Sequence, residues 1–447
     1  MLKRFILENF SSYRDENILE LTAGRTELHP NHLVEYPKQK IKILKSAVIY
    51  GANASGKSNL IKGMEYAKNI IIRGFNEVET YKKYFRLDKN CSKKVTQFEF
   101  ELELNDKFYS YGFSAFLDKK IIEEEWLFEI GKSSDDLIFE RKKTNIILGS
   151  KLTKNKKIKN RFDIYIEDMK NQTHQLFLSE ISDKNLDSVE SKIFNDIYHW
   201  FDEKLIILYP NTKFSNISSI GNDDNLSKIF KKYLKRFDTG IIDILLIEED
   251  FEESFKEFSK AIKLDIEKNL IQKGKKRATL RSNKGHLLTI CRDDSNNELK
   301  IQKLGLVHSN KVDDIFELHD ESDGSKRLID FIPLIPKFND DYTILIDEFD
   351  RSLHPKLTKD FFKLFYELNN FKSQLIVSTH ESTLLDLTLL RRDEIWFAEK
   401  DKSGASKLFT LNQFKERYDK KIEKAYLSGR YGAIPIFQDF DELEMDK

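Results

Sequence analysis

Residues 51–58 read Gly51-Ala52-Asn53-Ala54-Ser55-Gly56-Lys57-Ser58, and what flanks them decides the class of fold. The stretch matches the phosphate-loop pattern in full. Before it comes an apolar run, Ile43 to Tyr50 (ILKSAVIY), expected as one buried strand. After it, Leu60, Ile61, Met64, Ala67 and Ile71 recur at helical spacing. Strand, loop and helix in that order are the context the pattern requires. Glycines let the backbone curl so that successive N–H groups face phosphate oxygens. The helix N-terminus adds its partial positive charge. Gly51, Asn53, Ala54, Ser55, Gly56 and Asn59 then surround the phosphates, Lys57 neutralises the β- and γ-phosphates, and Ser58 ligates Mg²⁺.

Further along, Tyr342-Thr343-Ile344-Leu345-Ile346-Asp347-Glu348 is an apolar run ending in two carboxylates. Alone it is a common strand end. Paired with a phosphate loop it is expected as a Walker B strand, Asp347 serving the Mg²⁺ shell and Glu348 polarising the attacking water. Gln374 to His380 (QLIVSTH) forms a third such run, ending in a histidine. At the carboxyl end of a parallel strand, where α/β sheets gather ligands, His380 is expected to sense a γ-phosphate. Between the phosphate loop and the Asp347 strand lies Glu321-Ser322-Asp323-Gly324-Ser325, heading the helical pattern Leu328, Ile329, Ile332 and Leu334. Ser322 can cap that helix, whose free amides would face an anion.

Outward from these motifs, Val95 to Leu104 (VTQFEFELEL) alternates cleanly, with Phe98, Phe100, Leu102 and Leu104 on one face. An Asn105-Asp106 turn and a second alternating run through Tyr109, Tyr111 and Phe113 predict an antiparallel hairpin, with more strand over Ile121 to Ile130. From about residue 146 the pattern turns helical. Val189, Ile193, Ile197 and Trp200 share one face, as do Phe251, Phe255, Phe258 and Ile262. Two basic stretches, 151–160 and 273–285, read as loops. The expected division is therefore 1–145 as a first lobe, 146–285 as a largely helical insertion, and 286–447 as a second lobe. The fold class is α/β.

With 447 residues, 40% of them hydrophobic, the chain can bury a substantial core and is not a disordered protein. Lys plus Arg and Asp plus Glu balance at 75 each, so no global basic field advertises nucleic acid. Cys91 and Cys291 are too few for a disulfide framework or zinc cluster, which fits a reduced, cytoplasmic setting. No apolar run reaches the roughly 18 residues of a membrane helix, so no membrane association is expected.

The four motifs in this order resemble the ABC ATPase family in its SMC/RecF/OLD branch. More closely, the sequence is similar to stand-alone ABC-type ATPases of anti-phage defence, of the AbiL/RloA or PARIS kind. ENFSSY at 8–13, ESDGSKRL at 321–328, DEFDRSLHP at 347–355 and YLSGRYGAIP at 426–435 carry the likeness. The resemblance implies a P-loop ATPase head with an antiparallel β subdomain. It also implies a homodimer, with higher oligomers open, in which ATP lies between Lys57 of one copy and the signature residues Ser322, Gly324 and Ser325 of the other. Asp350 would be the D-loop residue, Glu348 the general base and His380 the switch. The signature reads SDGS, shorter than the transporter form. Gln97 is the one candidate for the Mg²⁺-contacting glutamine, and an ordinary strand residue is an equal reading.

The functional expectation is an ATPase, slow in turnover, that acts as sensor or scaffold in abortive-infection defence and gates a separate effector. OLD-type enzymes carry a Toprim nuclease in the region after His380, where about 67 residues follow here. A nuclease of RloB or Toprim kind would then be a separate partner. The alternative is a RecF/SMC-like DNA-clamping ATPase, with the two basic stretches on DNA phosphates. A nucleotide-dependent assembly protein that barely hydrolyses ATP is a third reading.

Overall fold

Short apolar runs ending in polar residues build the layer that positions the site. In the computed structural model, residues 1–182, 184, 191–212, 220, 223–251, 260–268, 277–281, 287–292, 298–309, 315–414 and 422–434 are described. Contacts divide the chain into two units: 1–210 with 338–350 and 358–447, and 211–337 with 351–357.

The first unit holds a six-stranded sheet in the order Leu205–Leu208, Thr343–Ile346, Gln374–Ser378, Ser46–Tyr50, Ile395–Lys400, Ser406–Thr410. The first five strands run parallel and the last is antiparallel. Thr343–Ile346, Gln374–Ser378 and Ser46–Tyr50 are buried at every position, as strands covered on both faces must be. Each fully buried Leu, Ile or Val side chain contributes roughly 1.5–3 kcal/mol of transfer free energy to holding that layer together. The helix Lys57–Arg73 follows the loop and buries Leu60, Ile61, Met64, Ala67 and Ile71, the predicted stripe.

The second layer of this unit is a seven-stranded antiparallel sheet, ordered Asn145–Leu148, Asp136–Lys142, Ile121–Ile130, Lys107–Phe116, Thr96–Leu104, Leu2–Glu8, Asn17–Glu20. Its centre is the expected hairpin, with Leu104 opposite Lys107 across the Asn105-Asp106 turn. Both turn residues have positive φ, 54° and 60°, the left-handed conformation that Asn and Asp tolerate in tight hairpins.

Three expectations change. The run Ile43 to Tyr50 is two strands, Ile41–Leu44 and Ser46–Tyr50. They part at Lys45, a buried residue whose Nζ donates to the Asn369 carbonyl at 2.8 Å. The region 146–285 is not one helical body. Helices Ser150–Thr153, Lys156–Met169, Phe177–Ser182 and Lys192–His199 belong to the first unit, and Leu205–Leu208 is an edge strand of the parallel sheet. The second unit carries, besides helices Asp224–Arg236 and Lys260–Glu267, an antiparallel sheet of Asp243–Asp250, Leu299–Val307, Leu287–Arg292 and Arg277–Arg281. Finally, the basic stretch 151–160 is not a loop but lies mostly in two helices, the second capped by Asn155 accepting from Lys157 N and Ile158 N.

Val189, Phe255, Phe258 and most of the basic stretch 273–285 lie outside the described residues. Among the described residues no helix is long and apolar enough to cross a membrane.

Candidate functional site

The phosphate loop leaves Tyr50 and enters its helix through two glycines in a backbone conformation that other residues rarely adopt. Gly51 has φ 157° and a Cβ there would lie 2.4 Å from the Ala398 carbonyl oxygen. Gly56 has φ 115°, and its Cβ would lie 2.3 Å from Ser406 Oγ. Asn53 and Ala54 form the exposed tip, while Ser55, Gly56 and Lys57 are buried.

A chain of hydroxyls holds this loop from behind. Asn59 Nδ2 donates to Ser12 Oγ at 2.9 Å, and Ser406 Oγ lies 2.7 Å from both Ser12 Oγ and Ser55 O. A carbonyl can only accept, so the Ser406 proton goes to Ser55 O and the Ser12 proton goes to Ser406. Tyr13 adds a hydrogen bond from its hydroxyl to Gly56 O at 3.2 Å. The segment ENFSSY therefore braces the loop, a role its sequence did not disclose. Ser406 carried no signal at all, being one serine in an edge strand.

Lys57 Nζ donates to Gly51 O at 2.7 Å and Ala52 O at 3.0 Å. Burial lowers its pKa to about 8, opposed by the charges of Asp347, Asp350 and Glu348. Ser58 Oγ donates to Asp347 Oδ1 at 3.0 Å. Asp347 sits at the carboxyl end of Thr343–Ile346, where its N–H reaches Leu208 O at 2.8 Å. Ser378, not foreseen as a site residue, joins the two neighbouring strand ends: its hydroxyl donates to Asp347 Oδ1 and accepts from Glu348 N at 2.9 Å. Glu348 has φ 47°. A glutamate in that left-handed region is strained, a conformation kept where surroundings over-determine it and common at reactive sites.

His380 is exposed and its N–H reaches Asp350 Oδ1 at 3.3 Å. Partial burial of the ring and then the Lys57 charge lower its pKa, against Asp350, Glu348 and Asp347. Lys57, Ser58, Asp347, Glu348, Asp350 and His380 thus gather at the carboxyl ends of adjacent parallel strands. Gln97 is not brought to them by any hydrogen bond among the described residues. Its ladder neighbours are Glu8 and Ser114 in the antiparallel sheet.

These residues fit a magnesium nucleoside triphosphate. Among the described residues the buried Ser55 Oγ has no hydrogen-bond partner, Lys57 holds its ammonium against loop carbonyls, and the glycines leave backbone room for phosphate oxygens. Ser58 and Asp347 offer one hydroxyl and one carboxylate, a donor set that suits Mg²⁺ completed by phosphates and water.

In the second unit, Ser322 caps the helix Asp323–Phe331, its hydroxyl accepting from Ser325 N at 3.1 Å. A Cβ on Gly324 would meet Ser352 O at 2.9 Å. Glu321, just before the cap, is held by His308 Nε2 at 2.6 Å.

A parallel sheet with a phosphate loop after one strand and paired carboxylates after another, a single strand between them, defines a P-loop nucleotide-binding protein. Comparison with known proteins makes this more particular. Residues 46–386 match the model of the family described as "AAA domain, putative AbiEii toxin, Type IV TA system", and the chain belongs to that family. No curated protein matches the sequence. Among solved structures, the chain is similar to the SMC head bound to the C-winged helix domain of ScpA (13% identity, TM-score 0.41, covering 92% of this chain and 97% of that one). It is also similar to the SMC head domain from Thermotoga maritima (12% identity, TM-score 0.37, covering 92% and 98%).

Proposed function

We propose that the protein is an ABC-type ATPase that binds Mg²⁺–ATP at residues 51–59 and hydrolyses it slowly between two copies of itself. One observation carries this reading. Ser58, Asp347, Ser378 and Glu348 form a single hydrogen-bonded set beside Lys57.

Each group then has a task its position suits. Lys57 and the loop amides bind the β- and γ-phosphates, and the buried Ser55 hydroxyl gains a phosphate partner. Ser58 and Asp347 hold Mg²⁺, which supplies charge neutralisation to the phosphates when bound. Glu348 accepts the proton of the attacking water, and Ser378 fixes Glu348 to the Asp347 strand. His380, with Asp350 on its backbone, contacts the γ-phosphate and reports its presence to the rest of the chain. Ser322, Gly324 and Ser325 of a second copy close over the nucleotide, their helix N-terminus facing the phosphates.

At the level of the cell, the reading is a nucleotide-controlled sensor of AbiL/RloA or PARIS kind in anti-phage defence, gating a separate nuclease effector. Family membership supports it, because the family is described by a toxin of a toxin–antitoxin system.

Lys57→Ala tests the binding half directly. The variant is expected to lose ATP binding by more than a hundredfold in calorimetry while keeping its thermal transition. Unchanged ATP affinity removes the phosphate-loop assignment.

A further inference from the structure

The C-terminal residues 422–434 touch both ends of the nucleotide machinery, and no role assigned so far uses them. The short helix Ile422–Leu427 presents Glu423, which accepts a hydrogen bond from Ser382 Oγ at 3.0 Å. Ser382 stands two residues beyond His380. One helical turn past Glu423, Tyr426 packs edge-on against Tyr50 at 6.0 Å (60°) and stacks on Phe397 at 5.7 Å (22°). Tyr50 is fully buried and directly precedes Gly51. The same six residues therefore link the strand end that feeds the phosphate loop to the turn that carries His380.

The anchor side of this link is firm. Tyr426 donates its hydroxyl to Ala433 O at 3.1 Å, Ala433 N donates to Glu399 Oε1 at 3.3 Å, and Tyr431 stacks on Phe397 at 5.5 Å. The turn side is a small self-bonded loop. Glu381 N donates to Thr379 Oγ1 at 2.9 Å, and Thr383 N to Glu381 Oε1 at 3.1 Å. Among the described residues the partly buried His380 ring makes no hydrogen bond, so its location follows the turn that carries it. Asp350 holds that turn on one side and Glu423 on the other.

We infer that Glu423 is a positioning residue for His380: through Ser382 it fixes the His380 turn at a set distance from the phosphate loop. The inference rests on the reading of His380 as the γ-phosphate contact. A misplacement of about 1 Å at a reacting group costs on the order of a hundredfold in rate, so a brace at this point is felt in turnover before it is felt in binding.

The test is ATP hydrolysis by the full chain with Glu423→Ala, Ser382→Ala, both together, and Glu423→Gln. Each single alanine lowers kcat by roughly ten- to a hundredfold with KM for ATP changed less than about twofold. The double variant falls no further than either single, since one hydrogen bond is removed once. Glu423→Gln restores turnover, because an amide oxygen also accepts from Ser382. In a His380→Ala background, Glu423→Ala has no added effect. Unchanged kcat in the single variants, a multiplicative loss in the double, or a further loss in the His380→Ala background overturns the inference. If His380→Ala itself leaves kcat intact, the His380 role fails instead, and the two failures are told apart. Hydrogen exchange needs no turnover. Amides 379–385 exchange faster in Glu423→Ala and not in Glu423→Gln, and equal exchange in all forms again overturns the brace.

Discussion

Lys57 folds back on its own loop, and burial brings its pKa to about 8 from an ordinary value of 10.5. Around pH 8 the ammonium is half deprotonated without nucleotide, whereas triphosphate charge beside it favours the protonated form. ATP binding at pH 8 is therefore expected to take up protons, and affinity to fall as pH rises further. Calorimetry at pH 8 in two buffers of different ionisation enthalpy reads the uptake. At pH 6, where Lys57 is protonated in both states, it should nearly vanish, and equal uptake at both values contradicts the assignment. The unfolded chain holds more protons than the folded one between about pH 8 and 10.5, so this group's contribution to nucleotide-free stability improves as pH rises across that window. Of the residues gathered around the phosphate loop and the strand ends, the sequence marks those whose expected chemistry would demand a particular type at a particular spacing: Gly51, Gly56, Lys57, Ser58, Asp347 and His380. Ser378 is not marked, because a serine at a strand end has many ordinary explanations. For Gln97 the sequence offers no more than its place in the chain, and its ladder neighbours among the described residues are Glu8 and Ser114.

Between elements, the phosphate loop is fastened by partners far away in sequence. Ser12 comes from the turn after the strand Leu2–Glu8, and Ser406 opens the antiparallel edge strand of the parallel sheet. Ser406→Ala leaves Ser55 O without its donor inside a buried site. The variant is expected to lose about 1–3 kcal/mol of stability and to weaken ATP binding, read by denaturant titration and calorimetry together. Wild-type values in both show that the hydroxyl chain does not support the loop. The hairpin at 96–116 was legible because alternation with an Asn-Asp turn has one simple solution. Leu205–Leu208 was hidden in a helical context, since four apolar residues carry no period that separates strand from helix. Lys45 likewise divided a run that looked continuous, because its buried ammonium is satisfied by the Asn369 carbonyl.

Over the whole molecule, the chain leaves the first unit after residue 210, returns at 338, and lends 351–357 back to the second. No linear division at 145 and 285 can reproduce such weaving, because sheet partners such as Leu205–Leu208 and Thr343–Ile346 lie far apart in sequence. Ser322 to Ser325, proposed as the signature, belong to the second unit, and their proposed work is done on the nucleotide of another copy. Ser322→Arg should accordingly abolish hydrolysis and leave ATP binding by the single chain within about threefold of normal. Loss of both together argues that Ser322 acts within its own chain. Whether ATP joins two copies is read by sedimentation of Glu348→Gln, in which ATP is bound and not consumed. The 52.8 kDa chain should sediment as a dimer with Mg²⁺–ATP and revert when Lys57→Ala is added. A particle of one chain's mass at saturating ATP contradicts such joining.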